Sequence, residues 1–192
     1  LDEPVLDGGD ALVVRVFENS PSEFDGVQYG DSPVHLTGPG GLRLANGRIV
    51  LKGENDFTGG VTVQAAEVIA ASPTAWGAGP VVVRGGSMTL QEPAIAESAS
   101  LQLAEDLPEG SIRLEFRGRN VVRALQIGDR LHRCGTWGGP ESKAMFIDPV
   151  FAGSGVLELT DQPLEACATL EDERSRRRPT RRASSKARSG QL

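Results

Sequence analysis

The sequence is poor in aromatic residues, cysteine and histidine, and it contains no long apolar run. Aromatic residues make up 5% of the 192 residues, and cysteine and histidine occur twice each. No window approaches eighteen consecutive apolar residues, so no transmembrane helix is predicted. The cysteines form no C-x-x-C pair and have no histidine at ligand spacing, which excludes the common zinc motifs.

Motifs of catalysis and ion binding are also missing. The sequence has no G-x-x-x-x-G-K-[ST] loop, no G-x-S-x-G nucleophile elbow, and no acidic calcium loop or calcium-binding nonapeptide. Glu54 and Asp56 are the best available carboxylate pair for hydrolysis, although solvated charge is the more common role of such residues. His35 and His132 lie in separate segments. We therefore predict no catalytic residue, no metal site and no cofactor.

Glycine and proline are abundant, and they separate many short apolar runs. The chain has 24 glycines and 12 prolines, a composition typical of short strands joined by turns. Apolar and polar residues alternate within the runs, so that Ile112, Leu114 and Phe116 share one strand face. A helix is an alternative only around Pro73, which argues against a long one. We predict an all-β chain with strands in 11–17, 41–53, 60–72, 79–90, 99–106, 111–118, 120–132 and 155–161.

Charge divides the chain into an acidic body and a basic tail. From Arg174 onward there are eight basic and no acidic residues, and the preceding 173 residues hold 12 basic against 26 acidic residues, a net charge of −14. The tail has almost no apolar residues to bury, so we expect it to be disordered. Its basic residues, Arg174 to Arg188, are either a polyanion-binding arm or a solvated extension. Without interleaved aromatics they indicate no specific nucleic-acid partner.

The cysteines and the first residues bear on the compartment and on processing. Cys134 and Cys167 either pair in an oxidising compartment, closing the end of the chain onto the body, or remain free thiols. The sequence starts at Leu1, and its first residues lack the basic and apolar regions of a signal peptide. We therefore expect a fragment or processed product of a longer protein, with any signal peptide in the parent.

Two architectures build many short strands with glycine-rich turns: an antiparallel β-sandwich and a β-solenoid. Internal similarity favours the solenoid. One such unit cannot bury its apolar face alone, whereas stacked units share a continuous core. We predict a right-handed parallel β-solenoid, or β-helix, with the antiparallel sandwich as the alternative. Three stretches repeat a strand, a tight turn and a second strand at a spacing of about twenty residues: "LTGPGGLRLANGRIVLKG", "FTGGVTVQAAEVIAAS" and "GAGPVVVRGGSMTLQE".

The stretch "LKGENDFTGGVTVQAAEVIAASPTAWGAGPVVVRGGSMTL" resembles the autotransporter-associated β-strand repeat of bacterial secreted passenger proteins. Asp56, Val61, Trp76 and the pair Ala66-Glu67 depart from the usual residues of that repeat. The likeness is carried by an asparagine, an aromatic-Thr-Gly-Gly stretch and a Gly-Pro-Val stretch followed by a glycine pair: Asn55, Phe57, Thr58, Gly59, Gly60, Thr62, Val63, Trp76, Gly77, Gly79, Pro80, Val81, Val83, Gly85, Gly86 and Leu90.

These motif residues suggest how each rung, meaning one turn of the solenoid, bends. The pairs Gly59-Gly60 and Gly85-Gly86 permit positive φ at a corner, and Asn55 tolerates the left-handed conformation and can hydrogen-bond the turn backbone. Phe57 is expected to pack at the corner, with an exposed sugar-stacking role as the alternative. Trp76 and Trp137 are likewise candidates for ligand-facing aromatics, because loop tryptophans often contact ligands.

A second resemblance covers the next stretch, which is similar to the segment that closes such solenoids after their last repeat. Cys134 and Arg133 replace the small or proline residues expected there. The two resemblances divide the chain into a preceding rung or irregular β segment (1–35), solenoid repeats (36–110), a closing segment (111–162) and a tail (163–192) that is basic from residue 174. The matching positions are Leu125, Ile127, Gly128, Gly135, Thr136, Trp137, Gly138, Phe151, Gly153, Gly155, Val156, Leu157 and Leu159.

The resemblance implies a non-enzymatic structural or passenger solenoid, monomeric, in a secreted or bacterial cell-surface protein associated with the outer membrane. Its implied partners are surface glycans or a host or neighbouring cell surface, contacted in adhesion. The alternative is a carbohydrate-binding or polysaccharide-degrading β-helix protein, such as a lyase or hydrolase. That alternative predicts a row of aromatic or acidic residues along one face of successive rungs.

Overall fold

The computed structural model describes residues 34–162 throughout and, before them, the strands at 12–15 and 22–25. The predicted tail at 163–192 and most of the segment 1–35 lie outside the described residues. These described residues form strands and no helix: β1 (Leu12–Arg15), β2 (Ser22–Asp25), β3 (Val34–Thr37), β4 (Leu42–Asn46), β5 (Arg48–Leu51), β6 (Val61–Val63), β7 (Glu67–Ala70), β8 (Val81–Val83), β9 (Ser87–Leu90), β10 (Ser100–Leu103), β11 (Ile112–Leu114), β12 (Arg119–Val122), β13 (Ala124–Ile127), β14 (Arg130–His132), β15 (Gly135–Gly138), β16 (Phe146–Ile147), β17 (Phe151–Ala152) and β18 (Val156–Leu159).

Parallel pairing stacks these strands into a β-solenoid of about four turns. One sheet has the order β14-β13-β10-β8-β6-β4-β2, a second the order β17-β11-β9-β7-β5, and a third the order β12-β18-β15-β16. Among the described strands, the antiparallel pairs are β13 with β14 and β15 with β18. The predicted all-β solenoid is therefore confirmed, and the antiparallel sandwich is not the fold. None of the described residues forms a helix long and apolar enough to cross a membrane.

The rungs are in register, and the last one is longer than those before it. Along the first sheet, Leu42 pairs with Val61, Val61 with Val81, Val81 with Leu101 and Leu101 with Leu125. The steps are thus 19, 20, 20 and 24 residues. The corners between β6 and β7 and between β8 and β9 have three residues each, whereas the corner between β10 and β11 has eight, 104–111. This long corner accounts for the longer last rung.

The interior is a set of apolar columns, because side chains alternate across each strand. The column that begins at Leu42 and ends at Leu125 is at most 2% exposed at every rung. A facing column runs along the second sheet and contains Ile49, Val68, Met88, Ile112 and Phe151. Each fully buried aliphatic side chain contributes roughly 1.5–3 kcal/mol. Since the same columns run through every rung, one continuous core stabilises the solenoid.

The C-terminal end is closed by residues 128–162, here called the cap. β14 folds back against β13, and the two-residue strand β17 covers β11. Short edge strands and charged edge residues such as Arg130 discourage pairing with another chain. Parallel pairing extends beyond residue 110, through β11 and β13, so by its pairing the segment 111–127 belongs to the last rung and the cap begins after it.

Candidate functional site

The two aromatic residues of the repeat motif lie inside the solenoid. Phe57 and Trp76 are both 0% exposed, and the carbonyl of Phe57 accepts a hydrogen bond from Ala78 N at 2.9 Å. A Cβ on Gly77 would lie 3.1 Å from the Phe57 ring, so the ring packs tightly at the corner, as expected. The ligand-facing role considered for Trp76 is corrected, because no part of that side chain reaches the surface.

The motif glycines serve the corners in two different ways. Gly60 and Gly86 have φ of 86° and 75°, a conformation that L side chains rarely adopt. Positive φ was expected for both members of each pair, but the first members are required for another reason. A Cβ on Gly59 would lie 2.3 Å from Gly40 C, and one on Gly85 would lie 2.2 Å from Gln64 O. The backbones of adjacent rungs therefore meet at these glycines.

The remaining glycine, proline and threonine of the motif occupy the same corner. A Cβ on Gly79 would lie 2.3 Å from Gly60 N, and the carbonyl of Pro80 accepts a hydrogen bond from Val61 N at 2.9 Å. Thr58, which is exposed, donates its backbone N–H to Gly38 O at 3.0 Å. All three residues thus contact the preceding rung through the backbone.

Asn55 connects three rungs through its buried side chain. Its Oδ1 accepts from Leu36 N at 2.9 Å, and its Nδ2 donates to Ala75 O at 2.8 Å. Asn120 holds Ile95 in a similar way, accepting from its N–H at 2.9 Å and donating to its carbonyl at 2.7 Å. Because unpaired buried backbone groups are costly, these asparagines stabilise the corners where the strand ladder is interrupted.

The acidic pair considered for hydrolysis lies on the outer surface. Glu54 and Asp56 are exposed on either side of the buried Asn55. Asp56 Oδ1 lies 3.6 Å from Nε2 of His35 on the preceding rung, so the side chain beside it on that rung is an imidazole and not a second carboxylate. Across residues 35–162, no group of three His, Cys, Asp or Glu side chains is arranged to hold a metal ion.

A concave feature formed by described residues lies beside Trp137 at the capped end. This cap cleft, of about 490 Å³, is bounded by the long corner 104–111, strand β14 and the segment 145–150. Its apolar floor includes Leu107, Ile127, Trp137 and Phe146. Met145 and Ile147, which are 54% and 49% exposed, extend this apolar surface to the mouth.

Three aromatic rings form one wall of the cap cleft. The Trp137 ring centroid lies 4.8 Å from that of Phe146 in a stacked arrangement and 4.1 Å from that of His132. The indole N–H of Trp137 donates to Cys134 O at 3.3 Å. Trp137 is only 8% exposed, so it lines the cleft while most of its ring is covered by neighbours. A bound molecule would meet the edges of this cluster together with the exposed side chains at the mouth.

The charges of the cap cleft are mainly negative. Glu105, Glu109 and Asp148 line it, opposed by Arg130, and the imidazole of His132 lies in the same wall. Both glutamates are exposed, and no hydrogen bond or ion pair engages their carboxylates within the described residues. Gly128, with φ of 56°, leaves space for Glu105, because a Cβ on Gly128 would lie 2.8 Å from the Glu105 Cβ. The cleft therefore offers unneutralised carboxylates around an apolar floor.

Cys134 lies next to the cap cleft and is disulfide-bonded. It is 6% exposed, and Cys167 lies outside the described residues. The disulfide fits the alternative of an oxidising compartment.

Sequence reasoning identified Trp137 but missed the cleft around it. The signal that could have indicated the cleft is the change in rung length from 20 to 24 residues, which places the additional residues at the corner 104–111. Phe57, Trp76 and Trp137 form no exposed row, since the first two are in the core. The expected row of surface aromatics is thus not made by these three residues.

No family model matches the chain, and neither a curated protein nor a solved structure matches it. The likeness to the autotransporter-associated repeat therefore stays a prediction.

Proposed function

We propose that this chain is the closing end of a non-enzymatic β-solenoid stalk or passenger in a secreted or bacterial cell-surface protein. The observation that carries the proposal is the unbroken in-register ladder, from Leu42 to Leu125, on which every rung aligns its apolar residues with the next. Such a ladder resists deformation because each rung is bonded to its neighbours along its length. The disulfide-bonded Cys134 also supports an extracytoplasmic location.

In this proposal the role of the chain is mechanical. The buried hydrogen bonds of Asn55 and Asn120 hold the corners, and the glycines let neighbouring backbones approach. The outer surface carries the charge that keeps a rod soluble. Its adhesive partner would be a glycan or protein of another surface.

The experiment that tests location is protease shaving of intact cells of the source organism. An antibody raised against the purified chain should label intact cells or culture medium, and external protease should remove the cell-bound signal. A cytoplasmic protein probed in parallel should remain intact. Labelling only after lysis would overturn the proposal.

The second candidate is a carbohydrate-binding or polysaccharide-degrading β-helix protein. The specific observation in its favour is the cap cleft, where carboxylates surround an apolar and aromatic floor, as in many sugar sites. A glycan array combined with a reducing-end assay on acidic and neutral polysaccharides tests it. Binding or cleavage abolished by Glu105→Gln with Glu109→Gln, but not by Glu92→Gln with Glu97→Gln, would favour this candidate over the stalk.

A further inference from the structure

The exposed apolar surface of the described residues is concentrated in the cap. Leu131, Met145 and Ile147 are the large apolar side chains that are about half exposed, and all three belong to residues 128–162. Two of them, Met145 and Ile147, line the cap cleft together with Glu105 and Glu109, whose carboxylates have no partner among the described residues, whereas Asp148 Oδ1 accepts from Val150 N at 3.0 Å. Leu131 lies on the other face of β14, whereas Met145, Ile147 and the apolar floor of the cleft form one patch with a charged rim, which indicates a binding surface.

We propose that the arginine-rich segment 174–178 of this same chain docks in the cap cleft as an intramolecular latch. Both parts of an arginine side chain, the guanidinium and the aliphatic stem, match the surface of the cleft. Its guanidinium can bind the carboxylates of Glu105, Glu109 or Asp148 through paired hydrogen bonds. Its plane stacks on aromatic rings such as Phe146, and its aliphatic stem packs on apolar side chains.

The path of the chain brings this segment to the cleft. The last described residue, Gln162, donates its N–H to Arg133 O at 2.9 Å, and Arg133 follows His132, which lines the cleft. Arg133 is itself paired with Asp161 at 3.4 Å. The chain thus leaves the cap at the end of β14, where Arg133 and Asp161 line a groove with Leu131 on the opposite face of that strand. The segment after Gln162 passes around this edge strand to reach the cap cleft. Eleven residues lie between Gln162 and Arg174, and they include Cys167, the one other cysteine besides the disulfide-bonded Cys134. The seven steps from Cys167 to Arg174 give a reach of about 24 Å when extended and roughly 15 Å on average.

Because the arginine-rich segment is tethered to the cap, a weak contact is sufficient to hold it in the cleft. A short flexible linker holds its segment near the site at an effective concentration of millimolar order. Each exposed ion pair contributes only about 0.2–1 kcal/mol, so several arginines acting together with stacking are needed. The segment "RSRRR" provides four arginines within five residues. Arg130 in the cleft wall opposes the latch, but three carboxylates outnumber it. The inference is independent of the proposed stalk function.

The test is NMR of the full-length, ¹⁵N-labelled chain. The amide signals of residues 174–178 should show a raised heteronuclear NOE at about 20 mM salt, and the NOE should fall to that of a free chain near 500 mM salt because ion pairs are screened. Glu105→Lys combined with Glu109→Lys should abolish the NOE at low salt. The matched control, Glu92→Lys combined with Glu97→Lys, changes two exposed glutamates in the loop before β10 and should leave the NOE unchanged.

A second variant separates arginine recognition from charge attraction. Arg176, Arg177 and Arg178 changed together to lysine keep the charge but lose planar stacking and paired hydrogen bonds, so the NOE should fall well below that of the native chain. An unchanged NOE in this variant or in the cleft variant would overturn the latch, as would equal effects of the cleft and control variants. Signals that shift with protein concentration would replace it with docking between two copies. Should the cleft variant misfold, the lysine variant still decides, because it leaves the cleft unchanged.

Discussion

Removing the side chain of Asn55 tests whether hydrogen bonds at the corners hold the rungs together. The change Asn55→Ala leaves Leu36 N and Ala75 O, both buried and both now bonded to Asn55 at 2.9 and 2.8 Å, without partners. Each orphaned buried group costs roughly 1–3 kcal/mol. We therefore expect the free energy of unfolding to fall by about 4 kcal/mol.

The assay is urea denaturation followed by far-UV circular dichroism and by tryptophan fluorescence. With a urea dependence of about 2–3 kcal/mol per molar for a domain of this size, the midpoint should fall by about 1.5 M. Asn46→Ala is the matched control: Asn46 is exposed at the end of β4, and its loss should change stability by less than about 0.5 kcal/mol. Coincident transitions of the two probes are needed for a two-state analysis.

The variant Asn55→Asp sharpens the test. An introduced carboxylate can still accept from Leu36 N but repels Ala75 O, whereas the protonated acid can donate to it. Burial and the facing carbonyl should raise the pKa of this carboxyl in the folded state. A carboxyl whose pKa is raised on folding stabilises the fold at pH values below its unfolded-state pKa, and this stabilisation is lost as the pH rises through its folded-state pKa. The deficit relative to the native chain should therefore be smaller in acid than at neutral pH. If Asn55→Ala and Asn46→Ala unfold at the same urea concentration, the corner bonds contribute no net stability and the reasoning fails.

Three further predictions concern packing, a buried donor and the disulfide. Gly86→Ala should destabilise the chain far more than Gly118→Ala in urea titrations. Both glycines have positive φ, so alanine costs about 1–2 kcal/mol at either position. In addition, a Cβ on Gly86 would lie 2.2 Å from Ala66 O, whereas one on Gly118 would contact nothing within 4 Å. Trp76→Phe should change the free energy of unfolding by under about 1.5 kcal/mol, because the loss of packing is offset by removal of the buried, unbonded Nε1. Trp76→Ala should lower the free energy of unfolding by about 3–5 kcal/mol. Equal losses in the two variants would contradict this. Dithiothreitol should lower the melting temperature of the native chain, by the equivalent of about 2–4 kcal/mol, and leave that of Cys134→Ala unchanged.

The strands and the core could be predicted from the sequence because alternation is a local signal. Val61, Val63, Val81 and Val83 stand at every second position of their runs, and all are buried. The short strands β16 and β17 have no alternating pattern of their own, since two residues do not define a period. They form only because the cap closes over the last rung.

The surroundings of Trp76 and Trp137 could not be predicted, because neither lies in an alternating run that settles its face. Trp76 is in a corner, where the period of two does not apply, and its burial depends on the neighbouring rungs. The cap cleft forms where three segments that are far apart in sequence meet. Of these segments, only the long corner 104–111 can be recognised from the sequence, because it lengthens the spacing between repeats. Local pattern fixes which residues form strands, whereas the site depends on how the last rung is closed.

The register of the middle rungs has a consequence for building with this protein. Val61 and Val81 are paired positions on successive rungs, so residues 61–80 start and finish at equivalent places. Because each rung contacts only its neighbours, a duplicate of this unit spliced after residue 80 should lengthen the solenoid by one strand spacing, about 4.8 Å, while the cap and its cleft keep their structure. The length of the solenoid can therefore be set in steps of one rung, while its capped end stays the same.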